Sequence, residues 1–129
     1  MKLPEELQFI ANARKVQHTT SALLDGQVCV ITGATSGVGY QAARRLAQFG
    51  AHTVLICRNS LKAAAVKDEL EQAFGTRVDI IQADFARLAD VRTAARAILE
   101  NYPRIDVLVN NAGIHNTHRS LTVDGIEEV

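Results

Sequence analysis

The sequence is poor in the residues that mark secreted, membrane and nucleic-acid-binding proteins. Its two cysteines, Cys29 and Cys57, fall in apolar runs, which indicates buried reduced thiols rather than a disulfide framework. Lys and Arg balance Asp and Glu at 14 each, so no net charge draws the chain to nucleic acid or an anionic membrane. No apolar run approaches the roughly 20 residues that cross a bilayer, and the start does not resemble a signal peptide. We expect a soluble cytoplasmic protein with no nucleic-acid partner and no transmembrane segment.

Apolar runs and helical periodicity alternate along the chain from residue 27 onwards. Continuous apolar runs predict four strands buried on both faces, at residues 27–32, 52–57, 78–83 and 105–109. Strands that alternate with helices predict an α/β fold, a doubly wound parallel sheet of Rossmann type with helices on both faces.

Three amphipathic helices are predicted between these strands, each recognised by one apolar stripe. The first helix ends near Gly50, Ser60 caps the second before its stop at Gly75, and the third spans residues 87–101. The three predicted stripes are Val38, Ala42, Leu46 and Phe49; then Val66, Leu70 and Phe74; then Val91, Ala95 and Ile98.

Residues 1–26 stand apart from this alternation. Leu3, Leu7 and Ile10 have the spacing of one helical face, and residues 17–26 have the composition of a linker. We therefore divide the chain into a helical extension and linker, 1–26, and a partial Rossmann domain, 27–129.

The turn between the first strand and the first helix is rich in glycine. Gly33 permits a tight turn, Gly37 lets a phosphate approach the backbone, and Gly39 lets the helix pack close to the sheet. Ser36 adds a hydroxyl donor beside the positive end of the helix dipole. An ordinary loop in which glycine only suits the backbone is the alternative. Three glycines and a serine in this strand–turn–helix context favour a phosphate site.

Several segments together resemble the short-chain dehydrogenase/reductase family. Residues 32–39 are similar to its TGxxxGxG signature and residues 110–113 to its NNAG motif, while Asp84 follows the third strand as the family's adenine-contacting aspartate does. Cys57-Arg58-Asn59 and residues 124–127 are similar to the retinol dehydrogenase-like branch. The resemblance implies a nicotinamide dinucleotide bound by Gly33, Ser36, Gly37, Val38, Gly39, Arg58, Asn59, Asp84, Phe85, Asn111, Ala112 and Gly113.

The end of the second strand favours NADP over NAD. An NAD-binding domain usually places a carboxylate there, to accept hydrogen bonds from the ribose 2′-hydroxyl. Residues 52–61 contain no Asp or Glu and instead carry Arg58, whose guanidinium suits a 2′-phosphate. The alternative is that Arg58 is a solvated surface arginine.

The catalytic residues that the resemblance implies, a serine and a YxxxK pair, are not found in these 129 residues. Tyr40 has Arg44 four positions later but lies in the helix after the glycine turn, and Tyr102 has no lysine at that spacing. We therefore assign no catalytic residue and expect a sheet of order 3-2-1-4, truncated after the fourth strand. A further helix is expected to begin near Val129. The apolar fourth strand is an exposed edge suited to self-association.

We expect an NADP-dependent oxidoreductase for an alcohol or carbonyl substrate, present as a cofactor-binding half that is inactive alone. The alternative is a non-catalytic half-domain that binds a nucleotide or a partner. An epimerase-type relative fits less well, because such proteins show TGxxGxxG. His115 and His118 have no nearby acid or cysteine to complete a metal site, so no metal is expected.

Overall fold

The computed structural model describes residues 20–128 and, before them, Pro4, Leu7, Ala13 and Val16. The helix predicted around Leu3 and Ile10 lies outside the described residues. The elements follow in the order β1 (Val28–Thr32), α1 (Gly37–Gln48), β2 (His52–Cys57), α2 (Ser60–Phe74), β3 (Val78–Gln82), α3 (Leu88–Asn101) and β4 (Val107–Val109). The predicted alternation of strand and helix is confirmed.

The four strands form one parallel sheet in the order β3-β2-β1-β4, as the sequence predicted. Thr32 at the end of β1 is in register with Ile56 in β2, and Cys57 at the end of β2 is in register with Gln82. The carboxyl ends of these strands therefore meet at one edge. In open parallel sheets that edge, next to the point where strand order reverses, is where ligands bind.

Helices cover both faces of the sheet, so the fold is doubly wound. On one face α1 and α2 pack against Ile31 and Leu55, with Leu70 fully buried between them. On the other face Ile98 of α3 packs in a cluster with Val30 and Val54. Because strands with apolar side chains on both faces need two covering layers, the continuous apolar runs follow directly from this arrangement.

Two of the predicted helix stripes were wrong in part. The buried face of α1 consists of Gly39, Ala43 and Ala47, whereas Val38 is 80% exposed. In α3 the predicted Ile98 is buried, but the buried alanine is Ala94 and not Ala95. In α1 small residues face the sheet because they let the helix axis approach it closely. A stripe chosen by its large apolar side chains therefore falls on the neighbouring rows of the helix.

Two predicted boundaries also differ from the structure. Regular pairing of the fourth strand begins at Val107 and not at Ile105. Just before it, the backbone N–H of Asp106 donates to the Val28 carbonyl at 2.9 Å and the Asp106 carboxylate accepts the Val28 N–H at 2.8 Å. Asn59, and not Ser60, caps α2, since the Asn59 side chain accepts a hydrogen bond from the backbone N–H of Lys62 at 2.9 Å. The other helix and strand ends agree with the predictions within two residues.

β4 lies at one edge of the sheet, where Leu108 is 54% exposed. Within the described part of the chain, none of the helices is both long enough and apolar enough to pass through a bilayer.

Candidate functional site

The turn after β1 is held tightly against the loop that follows β4. Gly33 donates its backbone N–H to the Ile56 carbonyl at 3.0 Å and has a φ of +68°. A Cβ on Gly33 would lie 2.9 Å from the Cα of Ala112. Real Cβ atoms essentially never come this close to backbone, so only glycine allows the two loops to touch.

Thr32 and Asn111 join these loops through four hydrogen bonds. The Thr32 hydroxyl accepts from the backbone N–H groups of Asn111 at 3.0 Å and Ala112 at 2.9 Å. The Asn111 side-chain amide donates in return to the backbone carbonyls of Thr32 at 3.1 Å and Gly33 at 3.2 Å. Asn111, predicted as a cofactor contact, therefore also fixes the shape of the turn. Thr32, absent from the predicted set, is the residue through which both motifs are connected.

Gly39 has a steric role in addition to the one predicted. The sequence assigned it to close packing of the helix on the sheet. A Cβ on Gly39 would lie 2.4 Å from both the Asn111 amide nitrogen and the Gly33 carbonyl oxygen. The missing side chain therefore makes room for the hydrogen bonds of Asn111 as well as for the turn itself.

The amino terminus of α1 opens into the site without competing groups. Ser36 is the N-cap residue, yet its side chain makes no capping hydrogen bond, and the first turn contains no acidic residue. A side chain at Gly37 would have nothing within 4 Å, so the approach to this turn is open. Uncapped N–H groups and the positive end of the helix dipole favour a phosphate at this position.

The opposite side of the site is formed by the end of β2 and the start of α2. Arg58 and Asn59 follow Cys57 directly, and Lys62 lies in the first turn of α2. The Asn59 side chain is occupied in capping the helix, which fixes the direction of that turn. Lys62 was missed in the sequence. The signal that could have found it is its position three residues after Asn59, had Asn59 been recognised as the helix cap.

Asp84 and Phe85 follow β3 and form a third side of the site. One carboxylate oxygen of Asp84 accepts the backbone N–H of Ala86 at 3.1 Å, and the backbone N–H of Asp84 donates to Asp90 at 3.1 Å. These bonds fix the turn that leads into α3. Phe85 remains 43% exposed, with its ring available to a ligand.

Residues 114–128 form an outer wall. Thr122 donates its backbone N–H to the Ile126 carbonyl at 2.7 Å, and Leu121 forms an antiparallel bridge with Glu127. The Asp124 carboxylate accepts the backbone N–H of Leu88 at 2.7 Å. Up to Glu128 this segment is a closed turn, so the helix expected to begin near Val129 does not begin among these residues.

Together these segments enclose one cleft of about 670 Å³ at the carboxyl edge of the sheet. Of the twelve residues predicted to bind a cofactor, all but Gly37 line this cleft. Val38 was predicted on the apolar stripe of α1 but is exposed, because it faces the cleft. The residues that line it and were not predicted include Thr35, Lys62, Ile114, Thr122, Asp124 and Ile126.

Neither tyrosine belongs to this cleft. Tyr102 lies at the amino edge of the sheet, where its hydroxyl donates to Asp79 at 2.8 Å, and burial together with that carboxylate raises the pKa of Tyr102 to about 12. The Tyr40 hydroxyl donates to Glu69 at 2.5 Å, and this bond raises the pKa of Tyr40. A tyrosine that acts as a general base needs a lowered pKa, so both differ from a catalytic one.

Both thiols are buried, and the histidines in the part of the chain that the structure describes belong to no cluster of metal-ligating side chains. Burial raises the pKa of both Cys29 and Cys57, which makes them poor nucleophiles. Among the described residues, no three His, Cys, Asp or Glu side chains come together as metal ligands. His118 lies 3.0 Å from the Thr117 hydroxyl in an exposed loop.

Comparison with known proteins gives concordant results. A family model described as short chain dehydrogenase matches residues 27–129. Human dehydrogenase/reductase SDR family member 13 is 43% identical over 98 residues, covering 75% of this chain and 26% of that protein. Human retinol dehydrogenase 13 is 36% identical over 109 residues, covering 84% of this chain and 33% of that protein, which agrees with the resemblance to retinol dehydrogenases.

One solved structure extends the comparison to three dimensions. L-sorbose reductase from Gluconobacter frateurii, solved with NADPH and L-sorbose, superposes with a TM-score of 0.70 and 32% identity. The match covers 77% of this chain and 38% of that one. The chain thus spans between 26% and 38% of the length of these three proteins.

Proposed function

The chain belongs to the short-chain dehydrogenase family, and from that premise we propose that it is the cofactor-binding part of an NADP-dependent oxidoreductase acting on an alcohol or carbonyl substrate. The observation that carries the choice of cofactor is the pair of cations, Arg58 and Lys62, that line the cleft where β2 ends. NADP, when bound, supplies or accepts a hydride. The residues described here bind and orient it.

The cleft fits a dinucleotide in shape and in donor chemistry. The uncapped start of α1 and the Ser36 hydroxyl suit a pyrophosphate, because both offer donors to an anion. Asp84 and Phe85 suit an adenine on one side, and the loop of Asn111 to Gly113 suits the second ribose on the other. The acidic side chains on the outer wall are engaged elsewhere. Asp124 accepts from Leu88, Glu127 pairs with Arg119, and Glu128 accepts from Ser120.

The positive charge at the adenosine end of the cleft, where β2 and β3 end, supports NADP rather than NAD. A guanidinium binds phosphate oxygens in a bidentate fork, and an ammonium adds a second point charge. Arg58 and Lys62 supply one of each, and no carboxylate in residues 52–61 is present to bind a ribose 2′-hydroxyl. The 2′-phosphate of NADP is the group that these residues select.

We further propose that these 129 residues bind the cofactor without turning over a substrate. Tyr40 and Tyr102 are their only tyrosines, each has a raised pKa, and neither lies in the cleft. The alcohol or carbonyl substrate then belongs to the full-length form. Oxidation of NADPH by the pure 129-residue protein in the presence of carbonyl substrates would overturn this part of the proposal.

The cofactor proposal is tested by isothermal titration of the 129-residue protein with NADP⁺ and NAD⁺. We expect NADP⁺ to bind at least about tenfold more tightly, the equivalent of one charge-assisted contact. Arg58→Ala and Lys62→Ala should each reduce that preference, whereas Arg96→Ala, which removes an exposed arginine of α3 outside the cleft, should preserve it. Equal affinity for the two dinucleotides in the wild type would contradict the choice of NADP.

A second candidate function is a non-catalytic half-domain that binds a nucleotide or pairs with a partner. The observation in its favour is the edge strand β4, where Leu108 is 54% exposed. The mass of the native protein in its own cells separates the two functions. A mass near 14.0 kDa would support the half-domain. A mass of about twice that or more, as for a complete doubly wound domain, would support the oxidoreductase.

A further inference from the structure

A smaller hollow adjoins the adenosine end of the cleft. Its volume is about 420 Å³, and it is lined by Arg58, Gln82, Asp84, Arg87, Asp90 and Thr93. Arg58 and Asp84 belong to both the hollow and the main cleft, so the two spaces are continuous there. Arg87 comes from the turn before α3 and therefore reaches this space from a different strand end than Arg58 does.

The charges in the hollow are not paired with one another. Both carboxylates accept backbone hydrogen bonds, Asp84 from Ala86 at 3.1 Å and Asp90 from Asp84 at 3.1 Å. The five ion pairs formed among the described residues involve other cations, so neither Arg58 nor Arg87 has a carboxylate partner in this part of the chain. Two guanidinium groups are thus available to an anion that enters the hollow.

Arg87 is also a poor residue for its own position in the fold. It is the N-cap of α3, with φ −129° and ψ 114°, and its side chain makes no capping hydrogen bond. Ser, Thr, Asp or Asn would stabilise the helix there, and a cation at the positive end of the dipole is unfavourable. Sites where the sequence breaks a local rule without a structural gain are commonly functional.

We propose that Arg87 is a specificity-determining residue that binds the 2′-phosphate of NADP jointly with Arg58. This inference rests on the cofactor proposed above and deepens it. A dianionic phosphate in the hollow would be contacted from two sides, by guanidinium groups that follow β2 and β3. Arg87 at the start of α3 gives the site a second guanidinium, and the helix loses the stabilisation that a capping side chain would provide.

The test uses two fragments of the cofactor that differ in one group. The 2′,5′-bisphosphate of adenosine carries the 2′-phosphate, and adenosine 5′-monophosphate lacks it. Their affinities for the 129-residue protein are measured by isothermal titration at two salt concentrations. For Arg87→Ala we expect a loss of about tenfold in affinity for the bisphosphate and less than about twofold for the monophosphate. The salt dependence of bisphosphate binding should also decrease, because one cation is removed.

Matched variants separate charge from geometry. Arg96→Ala removes an exposed arginine from the same helix outside the hollow, and its affinities should equal those of the wild type. Arg87→Lys keeps the charge but not the planar fork, so it should recover part of the loss. Circular dichroism of each variant confirms that the fold is retained.

The possible failures are distinguishable. A wild type that binds both fragments equally overturns the NADP preference and the role of Arg87 together. A wild type that prefers the bisphosphate, with Arg87→Ala preserving that preference, overturns the role of Arg87 alone. An equal loss for both fragments would show that Arg87 contacts the adenosine rather than the 2′-phosphate, and would also overturn the proposal.

Discussion

The hydroxyl of Thr32 accepts a hydrogen bond from the backbone N–H of Asn111 at 3.0 Å, across 79 positions of sequence. Thr32 is the last residue of β1, and Asn111 follows β4 by two positions. Because β1 and β4 are neighbours in the sheet, this bond joins the two loops that border the cleft. The glycine-rich turn after β1 and the loop of Asn111 to Gly113 after β4 are therefore one structural unit, and a change in either should affect both.

Thr32→Val should break this unit while keeping the shape of the side chain. The substitution leaves the N–H of Ala112 without its acceptor and removes one of the two acceptors of the Asn111 N–H, which keeps the Val109 carbonyl at 3.1 Å. We expect the free energy of unfolding to fall by about 2 kcal/mol, since an unsatisfied donor costs about 1–3 kcal/mol. Urea denaturation measures the loss. Thr32→Ser keeps the hydroxyl and should lose clearly less. Equal losses in both variants would show that the methyl group, and not the hydrogen bond, is important.

Gly39→Ala should disrupt the site far more than Gly113→Ala. A Cβ at Gly39 would meet the Asn111 amide and the Gly33 carbonyl at 2.4 Å, whereas a Cβ at Gly113 has its nearest neighbour 4.0 Å away. We expect Gly39→Ala to displace Asn111 and to weaken NADP⁺ binding by more than about tenfold, a change of roughly 1.4 kcal/mol. Thermal unfolding of Gly113→Ala should remain close to that of the wild type. A fully stable, fully binding Gly39→Ala protein would refute the steric role.

The sheet and most of the cleft were predictable because both depend on strong local patterns. Apolar runs bounded by turns identify buried parallel strands, and ligands of such sheets bind at the carboxyl ends of the strands. Arg58, which was predicted from its position at the end of β2, and Asp84, which the family resemblance implied, both line the cleft.

The errors arise where tertiary contacts override local preference. The stripe of α1 was misplaced because its sheet face is made of glycine and alanine, which carry little hydrophobic signal. Lys62 was missed because its place in the cleft depends on where Asn59 begins the helix. The contact between Asp124 and Leu88 joins segments 36 positions apart, and no periodicity in either segment predicts it.

The cost of Tyr102→Phe in the free energy of unfolding should depend on pH. Tyr102 belongs to a cluster around Asp79 at the amino edge of the sheet, opposite the cleft. Burial opposes ionisation of Asp79, but hydrogen bonds from Tyr102, His52 and Arg77 outweigh it and lower the Asp79 pKa. Burial, together with the hydrogen bond to Asp79, raises the pKa of Tyr102 to about 12. A raised pKa contributes stability below the unfolded value of about 10, which is lost as the pH rises towards the folded value.

We therefore expect Tyr102→Phe to cost about 1–2 kcal/mol at neutral pH, the worth of a hydrogen bond to a charged group. The difference from the wild type should shrink between pH 10 and 12, because the tyrosine ionises in the unfolded wild type while it is still protonated in the folded one. On the acid side it should shrink as the pH falls below the usual range of an aspartate and Asp79, whose pKa is lowered, becomes protonated. Denaturation at several pH values measures both limbs. In an Asp79→Ala background, which has no side-chain acceptor, the substitution should have little effect, and a constant difference across all pH values would argue against the coupling.

Arg87→Ser should stabilise the fold while weakening the site. Serine at the N-cap of α3 provides an acceptor for the first-turn N–H groups and removes a cation from the positive end of the dipole. We expect the free energy of unfolding to rise by about 0.5–1 kcal/mol, measured by urea denaturation without nucleotide. Arg96→Ser, inside the same helix, gains no cap and should lose about 0.5 kcal/mol from lower helix propensity. If Arg87→Ser instead lowers stability, Arg87 serves the fold, and its unfavourable position ceases to support a binding role. If stability rises while affinity for the 2′-phosphate falls, Arg87 stands at this position for ligand binding and not for helix stability.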